Sequence, residues 1–217
     1  MIELAALDIA GTTIDDHGAV YEVLLEITRT ANPALTTADI TPWMGTDKRE
    51  AIAALVGPDS GADVDDLYQR FVARLGERYT ARPPTPLPGV PQALVALRDR
   101  GVKVALTTGF GRDIAEPLLA AVGWEVGGLF DAVVCADEVA AGRPAPYLIF
   151  RAMERTGVRR VDRVLVAGDT AADLAAGDNA GVAMVIGVAT GGSTLDQLGA
   201  SPHTHLLPSV AEIPGAL

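Results

Sequence analysis

Short apolar runs alternate with amphipathic stretches along most of this chain. "IELAALD" (2–8), "KVALTT" (103–108), "AVVCAD" (132–137), "RVLVAGD" (163–169) and "AMVIGV" (183–188) are continuous runs of strand length, and "THLLP" (204–208) is a candidate edge strand. Runs without in–out alternation suit strands buried on both faces, as in a parallel sheet covered by helices. Helical patterns fill the gaps over about 89–100, 112–122, 146–157 and 171–180, with glycines in "GVKV" and "AGVAM" placed to end them. The alternation predicts an α/β fold with a Rossmann-like, doubly wound parallel sheet.

After the first run the rhythm breaks. "GAVYEVLLEITRTA", "KREAIAALVG" and "VDDLYQRFVARLGERYTA" all read as helix, and no strand pattern interrupts them. "ARPPTPLPGVP" (81–91) follows, where proline ends the last helix and stiffens the return. The pattern predicts a small helical cap domain, residues 15–82, inserted into a core made of residues 1–14 and 83–217, with hinges near 13–17 and 81–88.

Composition narrows the picture. With 49% hydrophobic and 21% charged residues, the 217-residue chain has the makings of a filled core. A formal net charge of −11 argues against a nucleic-acid partner. No run of 18 apolar residues and no basic, apolar leader occurs, so no membrane partner is expected and the reading is cytoplasmic. The single cysteine, Cys135, excludes an internal disulfide and is expected to be a buried strand residue. A homodimer through the apolar helix 20–27 is compatible with the pattern.

In an open α/β sheet, ligands bind beyond the carboxyl ends of the strands, so the polar residues just after the apolar runs carry the chemistry. Asp8 ends the first run, and a carboxylate there can attack phosphorus or ligate a hard cation. Gly11 and Thr12 in "DIAGTT" let the backbone turn and aim N–H groups inward. Thr107, Thr108 and Gly109 follow the second run, where a hydroxyl and an N–H can hold a phosphoryl oxygen. Arg143, in "AGRPAP", offers a fixed fork of donors for phosphoryl oxygens. Asp169 and Asp173, four apart at a strand end and in the first helical turn, can face one Mg²⁺. Each group also has an ordinary reading: a turn cap at Asp8, turn chemistry at Thr107–Gly109, a solvated Arg143, a helix-dipole role for Asp173. His203 and His205 flank the last apolar segment with no third ligand nearby, which places them at a surface edge.

In this order, "DIAGTT", "TTG", "GRP" and "GDTAAD" resemble the four motifs of the haloacid dehalogenase superfamily, and the inserted helices resemble its small cap. The resemblance implies phosphoryl transfer to Asp8, and Mg²⁺ held by Asp8, the Ala10 carbonyl, Asp169 and Asp173. It further implies phosphoryl oxygens clamped by Gly11, Thr12, Thr108, Gly109 and Arg143. Ungapped matching of "KVALTTG" puts Thr108, not Thr107, at the motif's hydroxyl position.

The closer resemblance is to the phosphonoacetaldehyde hydrolase (phosphonatase) branch. Most phosphatases of the superfamily carry an acid two residues after the nucleophile; here that residue is Ala10. "MGTDK" (44–48) is similar to the branch's Met-Gly pair preceding an imine-forming lysine, which implies Met44, Gly45 and Lys48 as substrate-binding residues. Adjacent Arg49, or desolvation by Trp43 and Met44, would depress the Lys48 amine. Two positions depart from the branch: Ala51 stands where a cap histidine is expected, and Phe110 where an aromatic hydroxyl follows "TTG". The sequence therefore predicts an Mg²⁺-dependent hydrolase of a small phosphonate or phosphate metabolite. The alternatives are a phosphomonoesterase acting on a sugar, cyclitol or small-acid phosphate, and, from another class, a phospho-accepting signalling domain. Tyr21 and Trp43 fall in the cap, as pocket walls or as packing.

Overall fold

The computed structural model describes all 217 residues, Met1–Leu217. Strands β1 (Leu4–Asp8), β4 (Lys103–Thr107), β5 (Ala132–Val134), β6 (Val164–Gly168), β7 (Met184–Val188) and β8 (His205–Leu207) form one parallel sheet. Its order is β5-β4-β1-β6-β7-β8, so the strand ending in Asp8 is flanked on both sides and the chain winds outward in two directions from it. Such a switch point is where open α/β sheets place their ligands. "THLLP" does become the edge strand, β8.

Between the two ends of this core run α1 (Ala19–Thr28), α2 (Thr37–Ile40), α3 (Lys48–Val56) and α4 (Val64–Ala81). After β3 (Thr85–Pro86) the core adds α5 (Val90–Asp99), α6 (Arg112–Ala121), α7 (Tyr147–Thr156), α8 (Ala171–Ala180), α9 (Leu195–Leu198) and α10 (Ile213–Ala216). Side chains alternate across β1. Ala5 and Leu7 join the cluster holding Leu94 and Ile114 of α5 and α6, whereas Leu4 and Ala6 join the one holding Leu148 of α7 and Ala176 of α8. Both faces are covered, which is why these strands read as unbroken apolar runs. The first cluster continues into the insertion through Ile52, Leu55, Phe71 and Leu75.

The four-residue helices α2, α9 and α10 escape the sequence pattern, and so do two further features. A two-residue strand, β2 (Ile14–Asp15), pairs antiparallel with β3, and Leu87 N donates to Thr13 O at 3.0 Å, so the strands entering and leaving the insertion are laced together. Cys135 is buried but lies just beyond β5, opening a short 3₁₀ turn, rather than within a strand. The chain has already left the sheet there, since Ala136 N donates to Phe110 O. No helix is long and apolar enough to cross a membrane.

Candidate active site

Asp8 is the last residue of β1 and Asp169 follows β6 directly, so the parallel register sets both acids at the same end of the sheet. The turn after Asp8 requires glycine: Gly11 has φ +83°, and a Cβ there would lie 2.6 Å from Asp169 Oδ2. The N–H groups of Gly11 and Thr12 are used within the turn itself rather than aimed inward. Gly11 N donates to Ile14 O at 2.8 Å and Thr12 N to Ile9 O at 3.3 Å, because the turn closes on itself. Thr12 acts through its side chain instead, donating from Oγ1 to Asp169 Oδ1 at 2.8 Å. The Ala10 carbonyl accepts no hydrogen bond in this turn.

Arg143 is buried, not a solvated loop residue. Its Nη1 lies 2.6 Å from Asp8 Oδ1 and 2.8 Å from Asp173 Oδ1, and its Nη2 donates to Thr107 O (3.1 Å) and Thr107 Oγ1 (2.8 Å). Thr108 points elsewhere: its Oγ1 accepts from Phe110 N at 3.1 Å, leaving the hydroxyl proton free to donate. Asp173 serves α8 as well, its Oδ2 accepting from Thr170 N (3.1 Å) and Thr170 Oγ1 (2.5 Å). Its other oxygen, Oδ1, is buried and makes no well-directed hydrogen bond despite the nearby guanidinium.

Lys48 opens α3 and is 2% exposed, so it is not a solvated helix-start charge. Its Nζ donates to Thr46 O at 2.5 Å and lies 5.8 Å from the centre of the Phe110 ring. The turn before it is pressed into the core. A Cβ on Gly109 would lie 2.5 Å from Thr46 O; one on Gly45, at φ +75°, would overlap Thr170 Oγ1; one on Gly192 would overlap Met44 Cε. Gly45 O also receives Arg143 Nη1 at 3.4 Å. Three core loops, after β4, β6 and β7, thus grip the segment that carries Met44, Gly45 and Lys48.

The model for haloacid dehalogenase-like hydrolases matches residues 2–181. This chain belongs to that family. It is 32% identical over 213 residues to a phosphonoacetaldehyde hydrolase of Bacillus cereus, covering 89% of this chain and 78% of that protein. It is 38% identical over 139 residues to a phosphonoacetaldehyde hydrolase of Parabacteroides distasonis, covering 61% and 49%. Among solved structures, a phosphonoacetaldehyde hydrolase-like protein from Oleispira antarctica superposes with TM-score 0.84 at 23% identity, covering 99% of this chain and 91% of that one. CbbY from Rhodobacter sphaeroides, solved with phosphate, gives 0.79 at 21%, covering 98% and 96%. The chain is an enzyme, a hydrolase of the phosphatase and phosphonatase kind.

In this haloacid dehalogenase-like hydrolase, charge is concentrated where water is scarce. Burial pushes the Asp8 carboxyl well up, with Arg143 opposing and Asp173 and Asp169 reinforcing. Burial, then the neighbouring Asp173, pushes Asp169 up too. Three carboxylates stand against one guanidinium, whose Nη1 lies between Asp8 and Asp173, and Asp173 Oδ1 lacks a well-directed donor, so this strand end gathers oxygen donors of the type a hard divalent cation takes. Burial lowers the Lys48 amine to about 8, with Asp47 and Asp8 opposing and Arg143 assisting. Arg49 has no part in this: it stacks on Tyr68, 3.9 Å from the ring centre, and pairs with Asp65 on the outside. Burial and the field of Asp169 and Asp8 hold the Tyr21 phenol far above its ordinary value, so Tyr21 shares the electrostatics of this centre.

Other parts of the site lie outside the motifs singled out from sequence. Gly192 N donates to Asp169 Oδ2 at 2.6 Å, and Thr190 Oγ1 to Gly11 O at 2.6 Å. "ATGGS" follows the run 183–188, so the rule that chemistry sits just past strand ends covers it too. No histidine approaches Lys48. His203 and His205 are exposed, bonded to Ser201 O and Thr204 Oγ1, and His17 sits at the strand pair, 3.2 Å from Pro83 O.

Proposed function

We propose that this chain is an Mg²⁺-dependent, phosphonatase-like hydrolase that cleaves the P–C bond of a small carbonyl-bearing phosphonate. Lys48 carries the reading: a fully buried amine, lowered to about 8, at the turn that the core loops clasp over Asp8. Residues 15–82 act as the cap, and Asp8, the Ala10 carbonyl, Asp169 and Asp173 hold the cation. Bound there, Mg²⁺ would neutralise the carboxylates and the charge gathering on the phosphoryl oxygens.

The chain's own residues supply the remainder. Neutral Lys48 Nζ adds to the substrate carbonyl, and with uptake of one proton from solvent the former carbonyl oxygen leaves as water, giving an iminium. Asp8 Oδ attacks phosphorus, the P–C bond breaks, and its electron pair enters the C=N⁺ group to form an enamine on Lys48. Water then hydrolyses the aspartyl-phosphate, and protonation and hydrolysis of the enamine release the aldehyde and regenerate the amine. Thr108 Oγ1, the Gly109 N–H and Arg143 hold the phosphoryl oxygens. Met44 and Gly45 shape the floor on which the carbonyl end rests. Ala10 suits this chemistry, because a carbon leaving group departing as an enamine needs no acid beside the nucleophile, and a further nearby carboxylate would raise the Lys48 amine. The identity to phosphonoacetaldehyde hydrolases along most of the chain supports the same substrate class.

A second reading is favoured by Ala51 and Phe110, which leave Lys48 without a neighbouring histidine or phenol to move protons. In that case the substrate is a phosphate ester and Lys48 binds its leaving group. Phosphate release from phosphonoacetaldehyde with Mg²⁺, beside a panel of sugar and small-acid phosphates, separates the two. Release from the phosphonate that is abolished by Asp8→Asn and by Lys48→Ala is the expected outcome. Release from esters alone, surviving Lys48→Ala, would make the protein a phosphomonoesterase.

A further inference from the structure

Thr107 and Thr108 stand side by side at the end of β4, yet only one of them touches Arg143. Thr107 is the register partner of Asp8 across the β1–β4 pair, and neighbours in register on parallel strands present their side chains to the same face. The Thr107 hydroxyl and the Asp8 carboxylate therefore lie next to each other, and the Arg143 guanidinium is laid across both. Both contacts with Thr107 are made by Nη2, at 2.8 Å to Oγ1 and 3.1 Å to the carbonyl; Nη1 faces Asp8 Oδ1, Asp173 Oδ1 and Gly45 O. All of these side chains are buried.

We propose that Thr107 is a positioning residue that anchors one arm of Arg143 so that the other is held beside the reacting carboxylate. The inference rests on the phosphoryl-transfer reading of this site. A guanidinium is useful to a phosphoryl group as a fixed fork rather than as a point charge. Here Nη1 lies between two carboxylates, Asp8 and Asp173, both of which attract it. With its hydroxyl acceptor removed, the Nη2 arm keeps one acceptor, the Thr107 carbonyl, and the plane of the fork is free to turn. The guanidinium would then settle on the carboxylates and away from incoming phosphoryl oxygens. Thr108 plays a different part, since its Oγ1 accepts from Phe110 N and makes no contact with Arg143.

The test is a double-mutant cycle in the Mg²⁺-loaded protein, read by orthophosphate affinity from titration and by kcat/KM on whichever phosphonate or ester the wild type hydrolyses. Thr107→Val keeps the β-branched shape and removes the acceptor; Thr107→Ser keeps the hydroxyl. One charge-assisted hydrogen bond corresponds to about tenfold, so Thr107→Val should weaken orthophosphate about tenfold and lower kcat/KM at least as much. Thr107→Ser should recover to within about threefold of wild type. In an Arg143→Ala background, Thr107→Val should change neither quantity further, because a residue that acts through another has nothing left to act on. Equal losses in both backgrounds, or a serine variant as poor as the valine one, would overturn the assignment. A wild-type protein that binds no orthophosphate would instead remove the phosphoryl-transfer reading itself, and this role with it.

Discussion

A lysine ammonium with 2% of its surface exposed offsets little of its desolvation through ion pairing, since its one direct partner is the Thr46 carbonyl. It also sits at the first position of α3, where the helix dipole disfavours a cation. Lowering this amine from its ordinary 10.5 to about 8 costs on the order of 3 kcal/mol at neutral pH. The sign follows from linkage. The folded state binds the proton less tightly, so the penalty is complete below about pH 8, fades as pH rises towards 10.5, and is gone above it. Lys48→Met retains the apolar stem and removes the charge. Urea unfolding at pH 7 should show the variant more stable by about 1–3 kcal/mol, the gain shrinking above pH 8, while phosphonate cleavage is lost. A less stable Lys48→Met protein would mean that the ammonium is well solvated or paired in the folded state. At this scale, the candidate acids Asp8 and Asp169 were legible because they stand directly after apolar runs, whereas Lys48 was reached only through the resemblance of "MGTDK". The sequence did not show that Thr12 holds Asp169 or that Thr107 holds Arg143, since those partners are 157 and 36 residues apart and only the folded sheet joins them.

At the scale of elements, the six strands of the main sheet and helices α5 to α8 were legible because burial leaves a strong apolar signature. The structure differs from each by three residues at most, whereas the four-residue helices α9 and α10 were not legible. The β2–β3 pair was not, since two-residue strands carry no period and their pairing partners lie in distant stretches of the chain. The seam between the turn at 43–47 and the core was likewise hidden: a glycine is a turn residue in sequence, and only geometry shows that Gly109 is small because Thr46 O is against it. Gly109 does not need a positive φ, so alanine there is compatible with its backbone and keeps the N–H proposed for the phosphoryl group. The added Cβ meets a carbonyl of the inserted segment at 2.5 Å and must push the Lys48 turn outward. Gly109→Ala is therefore expected to lower kcat/KM by at least about tenfold, since misplacing a reacting group by about 1 Å costs that much or more, and to lower the thermal midpoint as well, because the atoms the Cβ meets are backbone. Unchanged activity would show that the grip of the core loops on this turn is not needed for turnover.

The whole molecule carries a net charge of −11, and three of its carboxylates, Asp8, Asp169 and Asp173, are buried around one guanidinium. That arrangement makes stability depend on pH and on a cation together. Burial and mutual repulsion raise Asp8 and Asp169 above the ordinary carboxylate range, so the folded protein holds protons that the unfolded chain has released. In the presence of a chelator, stability should be complete at and below about pH 4 as far as these groups are concerned, and should fall as pH rises towards neutrality. Mg²⁺ competes with those protons, so its stabilising effect should grow over the same range, reaching about 2.7 kcal/mol when its concentration is about a hundredfold above its dissociation constant. Thermal midpoints measured from about pH 5 to 8 in chelator and in Mg²⁺ should therefore diverge as pH rises. Asp169→Asn should bring the two curves together, and should itself flatten the decline in chelator, because one of the repelling charges is gone. Parallel curves in wild type would show that the cluster holds no divalent cation and that Arg143 alone balances its charge.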